Sequence, residues 1–216
     1  MRERKWQNWD KRETAKAIDC YWINSTYEKK WRKRLVSDIK DEFGKRISLL
    51  EVGCGSGLIY EELIKLRVVT PQTYIGGDIS HKMLDIAVNR YPNAKFIYLD
   101  IFKLPFPEKS QPNIICIQVL QHLPNYAEAL RELIRITSGK LLISSWFTQG
   151  PEDRIVLEDT SYGGPFYNNQ YSLPKFLTFI YERVNNKIEK INITKYPEPT
   201  YSISITLNQK KRFNGE

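Results

Sequence analysis

The glycine-rich stretch of this 216-residue chain is Leu49-Leu50-Glu51-Val52-Gly53-Cys54-Gly55-Ser56-Gly57. The apolar run over residues 47–52 predicts a short strand, and the apolar spacing over residues 58–66 predicts a helix directly after the glycines. Glycine at alternate positions lets the backbone turn sharply and approach a ligand closely. The first N–H groups of the following helix point back at this loop. The stretch therefore predicts a binding loop for a nucleotide-like ligand.

The spacing of the glycines separates two kinds of nucleotide site. A dinucleotide fingerprint has glycine at its first, third and sixth positions, and the sixth position counted from Gly53 is Leu58. Glu51 stands two residues before the first glycine. A carboxylate at this point is unfavourable for a pyrophosphate, but it favours a ligand that carries a positive charge and an ammonium group.

An acidic residue, any residue and then Gly-x-Gly-x-Gly is the first motif of the class I S-adenosylmethionine (AdoMet)-dependent methyltransferases. This chain resembles that family at Glu51, Gly53, Gly55 and Gly57. The resemblance implies AdoMet as cofactor, S-adenosylhomocysteine as product, and Cys54 as a further loop residue beside the cofactor. It also implies an α/β fold with a Rossmann-like, doubly wound, seven-stranded sheet, mostly parallel with an antiparallel C-terminal hairpin.

The rest of the chain fits this architecture. From residue 47 onward, strand and helix patterns alternate, which predicts parallel strands joined by crossover helices. The predicted strands cover residues 47–52, 73–79, 95–99, 113–119 and 140–146, and the predicted helices cover residues 58–66, 81–90 and 125–137. A helix over residues 173–183 and strands over residues 187–196 and 201–208 correspond to the hairpin ending of the methyltransferase sheet.

Two further strand ends carry residues that match the cofactor motifs of the family. Asp78 ends the second strand, where a carboxylate can accept hydrogen bonds from both ribose hydroxyls, a role that NAD sites share. The resemblance places Ile79 and Met83 beside the adenine ring, although core packing alone would also explain Met83. Asp100 and Ile101 end the third strand and match the positions that bind the adenine amine and a ring nitrogen. The alternative for Asp100 is that it caps the next turn.

The fourth strand passes into the turn Gln118-Val119-Leu120-Gln121-His122. This turn resembles the fourth family motif, which implies that Gln118 faces the methionine half of the cofactor. The chain departs from the family before this strand, where Gln111-Pro112-Asn113 replaces the usual acidic residue. Histidine has a near-neutral pKa, so His122 is the candidate general base. The alternative is a residue at a helix entry that a backbone hydrogen bond holds in place.

The net charge of +8 is concentrated in residues 1–46, which hold 14 Lys and Arg against 8 Asp and Glu. Apolar residues at four-residue spacing predict a helix there, with Gly44 as its stop signal: Tyr27, Trp31, Leu35, Ile39 and Phe43. A weaker helix candidate covers residues 14–22. We expect residues 1–46 to form a helical lid over the cofactor cleft, with their basic side chains in solvent.

Residues 147–172 are rich in Gly, Pro, Tyr and Asn and show no clear period. The stretch is too long for an ordinary connection. We therefore expect an insertion over the acceptor side, within a methyltransferase domain that covers residues 47–216. Glycines for mobility and aromatic side chains for a pocket wall support this interpretation: Gly150, Gly163, Gly164, Tyr162, Phe166, Tyr167 and Tyr171.

Composition excludes several classes of protein. No run approaches 18 apolar residues, and the first residues lack the apolar core of a signal peptide. The three cysteines have no metal-ligand spacing, and their odd number does not suggest a disulfide framework. We expect a cytoplasmic protein without a metal site or a membrane partner, and the oligomeric state is open.

Three functions stay open at this point. The first is methyl transfer by in-line displacement to a small-molecule acceptor. The second is methylation of RNA drawn in by the basic N-terminal helix, because Leu104-Pro105-Phe106 and Ser144-Ser145-Trp146 also occur in relatives of tRNA wobble-uridine methyltransferases. The third is a nucleotide-binding oxidoreductase or a non-catalytic AdoMet-binding module, which Leu58 and Glu51 disfavour. The nearly balanced charge of residues 47–216 and the lack of an RNA-binding domain favour the small molecule.

Overall fold

The structure is a computed structural model that describes residues 5–161, 164–184, 187–197 and 199–208. Its strands are β1 Leu49–Val52, β2 Tyr74–Asp78, β3 Lys95–Tyr98, β4 Gln111–Ile117, β5 Thr137–Thr148, β6 Leu157–Asp159, β7 Pro165–Tyr167, β8 Tyr171–Ser172, β9 Ile188–Lys195 and β10 Thr200–Leu207. Its α-helices are α1 Arg12–Asn24, α2 Thr26–Phe43, α3 Leu58–Lys65, α4 His81–Arg90, α5 Ala127–Ile136 and α6 Leu173–Val184. Short 3-10 helices cover Lys5–Asp10 and Leu120–His122.

The main sheet has the strand order β3-β2-β1-β4-β5-β10-β9. Strands β1 to β5 run parallel, and β10 pairs antiparallel with both β5 and β9. This confirms the predicted doubly wound α/β fold and its C-terminal hairpin. The strand order reverses between β1 and β4, and open sheets bind ligands beside such a switch point.

The sheet has one strand more than predicted. Strand β8 pairs with the last two residues of β5, at Phe147 and Thr148, so that the sheet contains eight strands. The prediction ended this strand at residue 146. A two-residue strand shows no alternation of apolar and polar side chains, which is why the pattern could not reveal β8.

Burial on both faces explains the apolar runs of the central strands. All four residues of β1 are buried, as is usual for a parallel strand that helices cover on both sides. Leu50 packs in the core beneath α5 and α6, whereas Leu49 packs in the core beneath α2 and α3. The glycine loop after β1 is thereby fixed between two packed layers.

The predicted N-terminal helices are present, with one correction to the apolar stripe. In α2, Leu35, Ile39 and Phe43 are buried and Trp31 is partly buried, but Tyr27 is 51% exposed. Tyr27 lies in the first turn of α2, beside the junction with α1 and outside this core. Gly44 ends the helix with a φ of +91°. Four of the basic side chains that we expected in solvent are exposed, namely Lys29, Lys30, Lys33 and Arg34, but Arg32 of the same helix is buried.

The stretch over residues 147–172 has more regular structure than its sequence indicated. Strands β6 and β7 form a separate antiparallel hairpin. Buried Asn169 accepts a hydrogen bond from the N–H of Val156 and donates to the carbonyl of Leu123, at 2.8 and 2.7 Å. These bonds attach the hairpin to the turn after β4. Tyr162 and Gly163, which the prediction included, lie outside the described residues.

Within the described part of the chain, none of the helices combines the length and the apolar character needed to cross a bilayer.

Candidate functional site

A cavity of about 1370 Å³ lies at the carboxyl ends of β1, β2, β3 and β4. Residues of α1, α2 and the β6–β7 hairpin complete its walls. The volume exceeds the roughly 300–1,000 Å³ of an ordinary single-ligand pocket. The cavity therefore has room for a cofactor and a second small molecule.

The glycine loop approaches the cavity in a conformation that side chains would disturb. Gly53 has a φ of +83°, and a Cβ added to it would lie 2.1 Å from Val119 Cγ2. The N–H groups of Gly53 and Cys54 donate to the carbonyl of Gly77, at 2.7 and 3.0 Å. Gly55 also has a positive φ, of +52°. Gly53, Cys54 and Gly55 all line the cavity.

Gly57 differs from the other motif glycines because it does not line the cavity. It has a φ of +81° at the start of α3, and a Cβ there would lie 3.0 Å from Tyr91 Cε2. The structure gives Gly57 a role in helix entry and packing. Contact between Gly57 and the cofactor, which the motif implied, stays a prediction.

Glu51 is fully buried and lines the cavity. Its Oε2 accepts a hydrogen bond of 2.5 Å from the Tyr74 hydroxyl, whereas Oε1 has no partner among the described residues. Burial raises the pKa of Glu51 to about 8, against the lowering effect of Tyr74. A buried carboxylate oxygen without a partner is costly, and an ammonium group of a ligand in the cavity would satisfy it.

This arrangement predicts that cofactor binding releases a proton from Glu51. Below pH 8 the cofactor-free protein holds Glu51 largely protonated, and an ammonium group beside it favours the carboxylate. At about pH 6.5, where an α-ammonium group is charged, we expect close to one proton released per S-adenosylhomocysteine bound. Calorimetry in buffers of different ionisation enthalpy measures this number. A Glu51→Gln variant should release none, and a wild type that also releases none would contradict the assignment.

The same pKa shift has a consequence for stability. The folded, cofactor-free protein binds more protons than the unfolded chain between the ordinary glutamate pKa of 4.5 and about 8. This group therefore lowers the free energy of unfolding as the pH rises through that window. Bound cofactor should remove the effect.

Asp78 joins the glycine loop to the start of α4. Its Oδ2 accepts from the N–H of Gly55 at 2.8 Å, and its Oδ1 accepts from the N–H of Ser80 at 2.9 Å. Each carboxylate oxygen can accept a further hydrogen bond, and Asp78 lines the cavity. Burial raises the pKa of Asp78. The side chain thus has acceptor capacity left for the hydroxyls of a ligand.

Three of the predicted adenine contacts also line the cavity, and two of them have a packing role. Met83 is 2% exposed and packs with Ala15 and Ile18 of α1. Ile101 is buried in the main core. Ile79 lines the same cavity. Met83 and Ile101 can therefore pack in the core and also contact a ligand in the cavity.

Asp100 shows the capping geometry that we considered as its alternative. Its Oδ1 accepts a hydrogen bond of 3.0 Å from the N–H of Phe102. Asp100 also lines the cavity. Because one oxygen suffices for the cap, the carboxylate can also accept a hydrogen bond from an amine in the cavity.

Gln118 occupies a strained position at the switch point of the sheet. Its φ is +55°, a region that costs a non-glycine residue about 1–3 kcal/mol. Its Nε2 donates to Ser144 Oγ at 3.3 Å, and its Oε1 accepts from Gln121 Nε2 at 2.7 Å. Gln121 in turn accepts from Ser145 Oγ at 2.8 Å. This chain of bonds fixes the orientation of Gln118 in the cavity wall.

A backbone hydrogen bond holds His122 in place, which was the alternative to its role as a general base. Its Nδ1 lies 2.7 Å from the carbonyl oxygen of Tyr167, and since a carbonyl can only accept, we assign the proton to Nδ1. The lone pair is then on Nε2. Burial lowers the pKa of His122 to about 4, so the imidazole is neutral at pH 7. It lines the cavity as a hydrogen-bond acceptor and a weak base.

Sequence reasoning predicted Phe166 and Tyr167 as part of a pocket wall, and both line the cavity, but it missed the tryptophans of the lining. These tryptophans are Trp9, Trp22, Trp31 and Trp146. Trp9 packs edge-on against His122 and Phe166, with ring centroids 4.9 and 4.8 Å apart. A usable signal was present, because three of these tryptophans lie in the otherwise polar and basic N-terminal segment.

Hydrogen bonds and an ion pair attach the N-terminal segment to both sides of the cavity. On the cofactor side, Ser80 Oγ donates to the carbonyl of Trp9 at 2.7 Å, and Arg90 pairs with Asp19 at 2.7 Å. On the insertion side, Asn8 Nδ2 donates to the carbonyl of Pro165 at 3.0 Å. The segment is therefore bonded to elements on both sides of the cavity.

Comparison with known protein sequences finds similarity to methyltransferases. Residues 50–143 match a family model described as a methyltransferase domain. Malonyl-[acyl-carrier protein] O-methyltransferase of Bacillus cereus is 32% identical over 177 residues, which cover 74% of this chain and 63% of the relative. Demethylmenaquinone methyltransferase of Chlamydia felis is 36% identical over 95 residues, which cover 43% of this chain and 40% of the relative. The chain thus spans less than two thirds of the length of these curated relatives.

Solved structures share the fold. The chain is similar to DhpI in its complex with S-adenosylhomocysteine, with a TM-score of 0.70 at 12% identity, covering 94% of this chain and 97% of that one. The PH0226 protein of Pyrococcus horikoshii gives a TM-score of 0.65 at 20% identity, covering 86% and 93%. With this sheet order, this glycine loop and the domain match over residues 50–143, the chain has the fold of the class I S-adenosylmethionine-dependent methyltransferases and is similar to them in sequence.

Proposed function

We propose that this protein transfers a methyl group from AdoMet to a small-molecule acceptor by in-line displacement. The observation that carries the proposal is a single cavity with two chemically different halves. One half holds the unpartnered oxygen of Glu51 and the carboxylate of Asp78, and the other half is walled by the ring cluster of Trp9, His122, Phe166 and Trp146. The relative named as a demethylmenaquinone methyltransferase supports transfer to such an acceptor, whereas malonyl-[acyl-carrier protein], named for the other relative, carries its small acyl group on a protein.

The residues on the cofactor side fit AdoMet group by group. Glu51 would bind the ammonium group, Asp78 the ribose hydroxyls, and Asp100 with Ile101 the adenine edge. When bound, the cofactor supplies a methyl group on a sulfonium, which is already a good leaving group. The contribution of the protein is then alignment and the exclusion of water. The buried glycine loop and the aromatic walls provide both.

On the acceptor side we assign a proton-accepting role to His122. Tyr167 fixes the ring through Nδ1, so Nε2 can accept a hydrogen bond from the group to be methylated. Because the pKa of His122 is lowered, Nε2 is a weak base that orients the group to be methylated. Nε2 takes the proton of this group only when methylation has made that proton more acidic. Gln118, fixed by its bonds to Ser144 and Gln121, would position the methionine half of the cofactor beside it.

The RNA alternative depends on the exposed basic residues of α2. Lys29, Lys30, Lys33 and Arg34 face solvent, whereas Trp31 and Arg32 of the same helix line the cavity. A helix that covers an aromatic cavity favours a small acceptor over a polynucleotide.

The experiment is transfer of a labelled methyl group from AdoMet. We expect label in the low-molecular-mass fraction of a cell extract and none in bulk tRNA, with an Asp78→Ala variant as the inactive control. The fourfold neutralisation Lys29→Gln, Lys30→Gln, Lys33→Gln and Arg34→Gln should leave this transfer unchanged. Label in tRNA that the fourfold variant abolishes would instead establish the RNA function. The same variant should then also flatten the salt dependence of tRNA binding by roughly one unit of slope per lost phosphate contact.

A further inference from the structure

We propose that Arg32, together with Trp31 Nε1 and Ser56 Oγ, binds the carboxylate of the methionine end of the cofactor. This inference rests on the proposed function, since it names the residues that would recognise one group of AdoMet. It gives the N-terminal helix α2 a direct part in cofactor selection, in addition to covering the cleft.

The first observation is the set of buried polar atoms without a partner. Among the described residues these atoms are Trp31 Nε1, Glu51 Oε1, Ser56 Oγ and Ser204 Oγ. The first three belong to residues that line the cavity. Glu51 Oε1 is an acceptor, Trp31 Nε1 can only donate, and a serine hydroxyl can donate. The cavity therefore offers hydrogen-bond donors as well as the acceptor that suits an ammonium group.

The second observation is the burial of one arginine on a helix whose other basic residues face solvent. Arg32 is 8% exposed and lines the cavity. Its Nη2 donates to the carbonyl of Trp22 at 3.1 Å, which uses one of five guanidinium N–H donors. Arginine is almost never fully buried without a paired anion. Burial lowers the pKa of Arg32 in spite of the acidic residues around it, with Glu28 foremost.

The third observation is where these donors lie. The ring of Trp22 faces Gly55, since a Cβ added there would lie 3.3 Å from Trp22 Cζ3. Arg32 is bonded to the backbone of Trp22, and Ser56 follows Gly55 in the loop. Trp22 thus connects Arg32 to the glycine loop, which begins two residues after Glu51 and leads into α3, where the helix dipole also favours an anion.

A carboxylate and an ammonium group occur together at the methionine end of AdoMet, as a zwitterion. Glu51 would bind the ammonium group of this zwitterion, and Arg32 with Trp31 Nε1 and Ser56 Oγ would bind its carboxylate. Arg131 is the other arginine in the described cavity lining, and it is exposed and packs over Phe179 with its guanidinium 5.4 Å from the ring centroid. Arg32 is therefore the buried cation available to the carboxylate.

A purely structural role for Arg32 makes a different prediction. Trp22 lies in the last turn of α1, so Arg32 also satisfies a carbonyl at a helix end. Loss of that bond would weaken the binding of every ligand alike. Loss of a carboxylate contact would weaken only the ligands that have a carboxylate.

The test compares AdoMet with decarboxylated S-adenosylmethionine, which keeps the ammonium, sulfonium, ribose and adenine groups. Calorimetry should show that the wild type prefers AdoMet by about 10- to 100-fold, as for a charged hydrogen bond. In Arg32→Met this preference should fall to near unity, with affinity for the decarboxylated ligand retained. Lys33→Met, at the exposed neighbouring position, should keep the wild-type preference. Trp31→Phe and Ser56→Ala should each reduce the preference in part, and they provide a second route if Arg32→Met does not fold.

Two results would overturn the assignment of Arg32 alone. One is a wild type that binds both ligands equally tightly. The other is an Arg32→Met variant that loses affinity for AdoMet and for the decarboxylated ligand by the same factor. That result would show that Arg32 has a structural role or contacts the methyl acceptor. A wild type that binds neither ligand would overturn the proposed function and this assignment together.

Discussion

Replacing Asp78 with alanine is expected to lower the affinity for S-adenosylhomocysteine by at least about 100-fold. The carboxylate would accept hydrogen bonds from both ribose hydroxyls, and each bond to a charged acceptor contributes about 1.5–3 kcal/mol. The same carboxylate holds the N–H groups of Gly55 and Ser80. Its loss therefore removes ligand contacts and also loosens the glycine loop. Isothermal titration calorimetry measures the affinity.

The matched control for this variant is Asp85→Ala on the next helix. The Asp85 side chain is 65% exposed, and its contact with Lys82 is a 3.6 Å ion pair at the surface. We expect Asp85→Ala to bind S-adenosylhomocysteine as the wild type does. If Asp78→Ala also retains wild-type affinity while remaining folded, Asp78 is not the ribose ligand.

Gly53→Ala is expected to have the largest effect on stability. A residue other than glycine at a φ of +83° pays roughly 1–2 kcal/mol, and forcing a methyl group into packed surroundings costs about 1–3 kcal/mol more. The methyl group would lie 2.1 Å from Val119 Cγ2, so the loop must move. We expect the free energy of unfolding to fall by roughly 2–5 kcal/mol in urea denaturation, together with a clear loss of cofactor affinity.

Two further variants separate the clash from the backbone strain. Gly44 also has a positive φ, of +91°, but nothing lies within 4 Å of a Cβ added there. Gly44→Ala should therefore show the backbone cost alone and retain cofactor binding. Combining Gly53→Ala with Val119→Ala removes the atom that clashes and should recover part of the lost stability. A double variant that is no more stable than Gly53→Ala would contradict the role given to Val119.

The body of the fold could be predicted from the sequence because its elements are long and periodic. Helix α4 begins and ends where the pattern placed it, at His81–Arg90. The central strands are apolar on both faces and are bounded by glycine or proline. The two- and three-residue strands β6, β7 and β8 could not be predicted. Hydrogen bonds of Asn169 hold the β6–β7 hairpin in place, and pairing with β5 holds β8. Neither kind of contact produces a periodic pattern in the sequence.

The candidate site could be predicted only where a residue lies at a strand end. Glu51, Asp78 and Asp100 follow directly from strand order, because parallel strands bring their carboxyl ends to one edge. Trp9 and Arg32 reach the same cavity from a segment far away in sequence, and tertiary packing alone places them there. Arg32 also resembles its exposed neighbours in the sequence, so charge pattern could not distinguish a buried arginine from a solvated one.

The central claim is that the cavity binds AdoMet and its product and does not bind a dinucleotide. Calorimetric titration of the wild-type protein with S-adenosylhomocysteine and, under the same conditions, with NAD tests it most directly. We expect saturable binding of one S-adenosylhomocysteine per chain and no heat of binding with NAD. Tight binding of NAD, or no binding of S-adenosylhomocysteine by folded protein, would contradict it.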